Sequence, residues 1–128
     1  MKNNLKLGVI GIDHGHIFDM LDEMLKEGCT CDYFWTEDDP LTLKEFNKKY
    51  PNIKRKENIE EILNDPSIEM ILISSIPKNR ADNSMEALKA GKDVMVDKPG
   101  CITLDQLNKI KQTVKETGKI WSVNFSER

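Results

Sequence analysis

The stretch Gly8-Val9-Ile10-Gly11-Ile12-Asp13-His14-Gly15-His16 is the part of the chain best suited to chemistry. Gly11 stands at the first position of a G-x-G-x-x-G turn. Such glycines let the backbone turn tightly and approach a pyrophosphate that rests on the N-terminus of the following helix. The second glycine position holds Asp13 and the third holds His16, with Gly15 one place early. A carboxylate at position 13 either repels an anion or turns aside to cap the helix, and both readings stand. His14 and His16 are the only histidines. Paired imidazoles can hold a metal or exchange protons, but no acidic or cysteine cluster joins them at ligand spacing along the chain. The expectation is that they line the turn and donate hydrogen bonds to a phosphate or to the backbone, with no metal.

Two further places carry chemistry. Glu37, in the acidic run Glu37-Asp38-Asp39, falls about 20 residues past the glycine turn, where an acid holds a ribose 2′-hydroxyl. An acid there favours NAD over NADP, and no arginine follows closely to receive a 2′-phosphate; the alternative is a solvated charge run. Asp97-Lys98-Pro99-Gly100 closes an apolar strand, so that Lys98 is aimed into a ligand crevice, where an amine can bind a substrate hydroxyl and help move its proton. Cys29, Cys31 and Cys101 are odd in number and show no common zinc or disulfide spacing, which implies buried thiols in a reducing cytoplasm.

These residues are positioned by a regular alternation. Leu5 to Ile12 reads as a buried strand. Ile17, Met20, Leu21, Met24 and Leu25 mark one face of a helix over 15–27 that stops at Gly28. A strand over 30–37 follows, then a helix opened by Asp39-Pro40 and ended near Tyr50-Pro51. Next come a weak edge strand over 53–56, a short helix over 58–64 with an Asn58/Glu61 capping box, and the most apolar run, 68–76, as a central strand. A helix over 79–90 stops at Gly91, a strand covers 92–97, a Thr103/Gln106 capping box opens a helix to Thr117 that stops at Gly118, and a last strand spans 119–124. Apolar strands joined by helical crossovers form a parallel sheet covered on both faces. The expected fold is thus a single α/β domain over 1–128, doubly wound around a mainly parallel six-stranded Rossmann-like sheet, with ligands bound at the carboxyl ends of the strands.

Composition bounds the function. The chain has 128 residues, 38% of them hydrophobic, and 19 basic against 22 acidic residues give a net charge of −3. That is one domain's worth of core. It offers no electrostatic footprint for nucleic acid. No apolar run approaches the roughly 18–20 residues of a membrane span, and Met1 to Asn4 lead straight into a strand without a signal peptide. The expected location is the cytoplasm.

The pattern resembles the N-terminal domain of the glucose–fructose oxidoreductase / inositol dehydrogenase / MocA family. The resemblance rests on LKLGVIGIDHGH, on Ala87-Leu88-Lys89-Ala90-Gly91-Lys92-Asp93-Val94 for A-L-x-A-G-K-x-V, on Asp97-Lys98-Pro99 for E-K-P, on the helix from Thr103, and on Val123 to Arg128 for V-x-F-N-x-R. It implies an NAD(P)-dependent oxidoreductase acting on a sugar- or cyclitol-like hydroxyl. NAD is the expected coenzyme, NADP the less favoured one. Cofactor contacts are implied for Gly11, Ile12, Asp13, His14, Gly15, His16, Glu37, Ser75, Pro77, Asp97 and Lys98, with Ile76 beside them. Lys98 is implied to be catalytic, following the family's lysine, whose peptide to proline is often cis. The chain departs from the pattern at Asp13, at Asp97 for glutamate, at Arg80 for a histidine, and at Ser126 for asparagine. The family continues past Arg128 into a second α/β domain that supplies the substrate pocket and most of the subunit contacts of a homo-oligomer. The expectation is that this domain is absent here, that a polyol or sugar substrate binds only with it, and that turnover by this chain alone is negligible. The competing expectation, carried by Asp13, is a Rossmann-like binding or regulatory module that has lost the dinucleotide.

Overall fold

The computed structural model describes residues 5–124. Its elements run β1 (Lys6–Ile12), α1 (His16–Lys26), β2 (Thr30–Trp35), α2 (Leu43–Lys49), β3 (Lys54–Arg55), α3 (Glu60–Leu63), β4 (Met70–Ser74), α4 (Pro77–Lys89), β5 (Asp93–Asp97), α5 (Leu104–Thr117) and β6 (Trp121–Asn124). The six strands form one sheet in the order β3-β2-β1-β4-β5-β6, and each neighbouring pair is parallel. The expected six-stranded, doubly wound parallel sheet is therefore what the chain forms. The switch in strand order lies between β1 and β4, where such sheets open a crevice at the carboxyl ends. The closing Phe125, Ser126, Glu127 and Arg128 of the V-x-F-N-x-R segment, and Met1 to Asn4, lie outside the described residues.

Alternation along the strands sends side chains to two cores. Leu7 and Val9 of β1 and Leu72 of β4 meet Ile17, Met20 and Leu21 of α1 and Phe46 of α2 on one face. Ile10 of β1 and Ile71 and Ile73 of β4 meet Ile62, Ala81, Ala87, Leu88 and Ile110 on the other. This period of two is what a sheet buried on both sides requires.

Several boundaries shift for identifiable reasons. Asp39 and Pro40 do not open α2: the Asp39 carboxylate pairs with Arg55 at 3.0 Å, and the helix begins after Thr42, whose hydroxyl donates to the Ile12 carbonyl instead of capping its own helix. Asp13 does not cap α1 either. The N-cap is Gly15, in αR geometry with no side-chain cap. The Asn58/Glu61 box is half formed, with Glu61 accepting the Asn58 N–H at 3.2 Å while the N-cap is Ile59. The helix expected to start at Asn79 starts at Pro77, whose missing N–H costs nothing in a first turn. The Thr103/Gln106 capping box and the left-handed Gly118 stop form as read.

Lys92, the lysine of the A-G-K segment, is a fastening rather than a ligand group. It is buried, and its Nζ donates to the carbonyls of Asp65 and Ile68, each at 2.8 Å, tying the start of β5 to the turn before β4. Replacing it strands a buried and a part-buried acceptor, so Lys92→Met is expected to lower stability by about 2 kcal/mol. Urea unfolding checks this; a variant as stable as the parent would contradict it.

Candidate functional site

The glycine turn is built by an irregularity in β1. Ile10 pairs with Ile73 and Ile12 pairs with Ser74, so Gly11 is an inserted residue between them. It adopts φ +84°, and a Cβ there would stand 2.4–2.6 Å from Cβ, Cα and N of Ser75. The loop after β1 thereby lies directly against the end of β4. The His14 N–H donates to the Ser74 carbonyl at 3.2 Å, closing the same junction.

Two neighbouring features open from this junction. The first is a cleft of about 480 Å³ lined by Gly11 and Asp13 from the turn, by Trp35, Glu37, Asp38, Asp39 and Pro40 after β2, and by Ser75, Ile76, Lys78, Asn79 and Asn83 at the start of α4. The Ser75 hydroxyl lies 2.7 Å from Asn83 Oδ1. Asp13 is partly buried, and that burial, reinforced by the charge of Glu37, raises its carboxyl above the usual carboxylate range. The wall after β2 is acidic, with Lys78 a cation opposite.

The second feature is a cluster at the ends of β1, β4 and β5. His16 Nδ1 lies 2.9 Å from Asp97 Oδ1, across 81 residues of sequence, and His14 Nδ1 lies 3.6 Å from Asp97 Oδ2. The Asp97 side chain is fully buried. Its Oδ2 also accepts the Ser74 hydroxyl at 3.2 Å and lies 3.5 Å from Arg80 Nη2. Arg80 is itself buried and donates to the carbonyls of Ser75 (2.6 Å), Asp97 (3.3 Å) and Pro99 (3.3 Å). The Lys98–Pro99 peptide is cis, and Lys98 is exposed.

The expected site residues therefore divide. Gly11, Asp13, Glu37 and Ser75 line the cleft, as does Ile76. His14, His16 and Asp97 gather in the second cluster, with Lys98 next along the chain. Gly15 faces open space, with nothing within 4 Å of a Cβ built on it. Pro77 serves as the first residue of α4 and does not line the cleft. Ile12 is not a ligand group: its side chain is fully buried, its N–H donates to Thr36 Oγ1 and its carbonyl accepts from Thr42.

Sequence spacing left the connections of three residues unread. Asp97 joins the histidines only through the parallel pairing of strands, so the acid absent from the histidine loop arrives from β5. Arg55, on β3, reaches the acidic run after β2 and donates to the carbonyls of Thr36 and Asp38 as well as to Asp39. An arginine does therefore stand near Glu37, contrary to the sequence reading, but it is bound to Asp39 and the backbone. Arg80 carried a readable signal: it falls on the buried face of α4 at helical spacing from Ser84 and Ala87.

Comparison with known proteins gives concordant matches. Residues 6–125 match a family described as an oxidoreductase family with an NAD-binding Rossmann fold. The scyllo-inositol 2-dehydrogenase (NADP(+)) IolW of Bacillus subtilis is 26% identical over 98% of this chain and 34% of its own length. The 1-carboxy-3-chloro-3,4-dihydroxycyclohexa-1,5-diene dehydrogenase of Comamonas testosteroni is 27% identical over 95% of this chain and 30% of its own. A crystallised protein of Erwinia carotovora atroseptica superposes with a TM-score of 0.93 at 31% identity, covering 98% of this chain and 37% of that one. The biliverdin reductase of Synechocystis, solved with biliverdin and NADP+, shares the fold with a TM-score of 0.79 at 22% identity over 94% of this chain and 37% of its own. The chain spans about a third of the length of the curated relatives it matches.

Proposed function

This chain belongs to the oxidoreductase family with an NAD-binding Rossmann fold, and from that premise we propose that its cleft holds NAD in preference to NADP, within an oxidoreductase acting on a cyclitol- or sugar-like hydroxyl or carbonyl. The observation that carries this reading is the 480 Å³ cleft at the ends of β1, β2 and β4, with Glu37 on its β2 wall. It opens at the strand-order switch, where sheets of this kind take dinucleotides. Gly11 lets the turn sit against Ser75, Gly15 leaves open space at the N-terminus of α1, and Glu37 is the ribose acceptor. Bound NAD supplies a hydride acceptor; the residues of this chain bind and orient it. Glu37 accepts from the 2′-hydroxyl and disfavours a 2′-phosphate, while Arg55, held by Asp39, is not disposed to neutralise one. Lys98, immediately after Asp97, is the group assigned to the substrate side, where it binds the reacting oxygen and moves its proton.

Calorimetric titration tests the reading. NAD is expected to bind more tightly than NADP. Glu37→Ala is expected to weaken NAD roughly tenfold, the loss of one charge-assisted hydrogen bond, and to narrow the preference. A tighter NADP isotherm would refute the coenzyme choice. Hydride transfer further needs substrate held against the nicotinamide, and this chain assayed by itself is expected to show negligible turnover.

One observation favours a second reading, a Rossmann-like binding or regulatory module without a dinucleotide. Asp13 occupies the second glycine position on the cleft wall, in company with Glu37, Asp38 and Asp39. If neither nucleotide binds at millimolar concentration and Asp13→Gly restores nothing, that module is the better description.

A further inference from the structure

We propose that His14, His16 and Asp97 form a binding site for one divalent transition-metal ion of the zinc type, with a coordination position left open to a small oxygen ligand. The inference rests on the placement of these side chains and not on the coenzyme assignment.

The donor set is chemically specific. Two imidazole nitrogens and one carboxylate oxygen are the ligands that zinc and its neighbours take in three-ligand sites, where a water or substrate oxygen fills the fourth position. One ligand atom from each residue lies within 4.8 Å of the other two. His16 Nδ1 lies 2.9 Å from Asp97 Oδ1, slightly inside the roughly 3.3 Å edge of a tetrahedron with metal–ligand bonds near 2.0–2.1 Å.

The carboxylate is also held as a ligand must be. The Ser74 hydroxyl and the Arg80 guanidinium take Oδ2 and leave Oδ1 toward His16. Such outer contacts fix ligand orientation and set affinity. The histidine side chains are 52% and 32% exposed, so an ion has a path from solvent, while the acid beneath them is fully buried. Two features oppose binding and bound its strength. Arg80 shares the charge of Asp97, and His14 Nδ1 already accepts the His16 N–H at 3.2 Å, a bond the ion would replace. Even so, a buried carboxylate faced by two imidazoles is more than a turn needs for support, since Ser74 and Arg80 already serve Oδ2 and His16 serves Oδ1, which leaves His14 with no supporting role toward Asp97. Lys98 follows on the same strand end, so an oxygen ligand on the ion would lie on the side assigned to substrate.

The test uses the 128-residue chain freed of metal and without nucleotide, titrated with zinc by calorimetry and with cobalt(II) by visible absorption. One equivalent of zinc and a cobalt ligand-field band are expected. His14→Ala and His16→Ala are each expected to weaken binding by at least about 10–100-fold, the range that loss of even an outer contact produces, with far-UV circular dichroism unchanged. Asp97→Asn should do the same, and if it fails to fold the two histidine variants decide. Absence of saturable uptake by the parent chain, or uptake that both histidine variants retain, overturns the proposal. NAD titrated into the metal-free chain reports separately, so the coenzyme reading and the metal site can fail independently.

Discussion

Gly11→Ala is expected to destabilise the domain by about 2–5 kcal/mol, whereas Gly15→Ala, four residues on in the same turn, is expected to be neutral or mildly stabilising. The two glycines differ in what surrounds them. At Gly11 the backbone is left-handed at φ +84°, which costs an L-residue with a Cβ about 1–2 kcal/mol. A Cβ there also meets Ser75 at 2.4–2.6 Å, and two of the three atoms it meets are backbone Cα and N, which no rotamer can move aside. Relief requires separating β1 from β4, and overpacking of that kind costs about 1–3 kcal/mol more. Those two strands form the centre of the sheet, so the effect is large against a total stability of about 5–15 kcal/mol. Gly15 has φ −63° and ψ −15°, which alanine adopts freely, and a Cβ there touches nothing. Restricting the unfolded chain then favours folding by about 0.4–1 kcal/mol. Urea midpoints of both variants check the pair, and equal losses would mean that the contact between the turn and Ser75 is not what demands glycine at position 11. The same variants bear on the coenzyme: a Gly15→Ala chain that is fully folded but binds NAD more weakly would place the diphosphate on that open side.

What could be read from the chain, and what could not, follows from the range of the interactions. Local signals sufficed where one turn of backbone decides the outcome. The Thr103/Gln106 box, the Gly118 stop and the continuous apolar runs of β1 and β4 each depend on residues a few positions apart. The doubly wound parallel sheet also followed, because crossover handedness leaves few ways to wind such a chain. Failure came wherever a side chain had a distant partner. Asp39 looks like a helix cap until Arg55 is beside it. Asp13 has cap chemistry, yet it lies in the cleft wall while Gly15 takes the cap position. His14 and His16 look like a pair without an acid because Asp97 is 81 residues from His16 and arrives only when β1, β4 and β5 align. The Glu37 region shows the same limit: the sequence places an acid near a ribose position, but the arginine that adjoins it comes from an edge strand of two residues.

Arg80 gives the second large effect, and it bears on why the site is rigid. Arg80→Leu is expected to cost about 3–5 kcal/mol, because removing one member of a buried ion pair leaves the other charge uncompensated. Here the loss extends further, since the guanidinium fork also serves the carbonyls of Ser75, Asp97 and Pro99, which sit at the ends of β4 and β5 and in the cis-proline turn. Arg80→Lys keeps the charge and separates the two contributions. A single ammonium cannot reproduce the planar fork, so a loss of about 2 kcal/mol is expected to remain. Combining Arg80→Leu with Asp97→Asn removes the stranded charge, and the double variant should be more stable than the sum of the two single losses predicts, by about 1–3 kcal/mol. Chemical unfolding of the four chains closes the cycle. Strict additivity would show that the 3.5 Å pair is not energetically coupled and that Arg80 acts through its carbonyl contacts alone. Coupling would mean that Arg80 fixes the Asp97 carboxylate, and through it His16, at the mouth of the crevice.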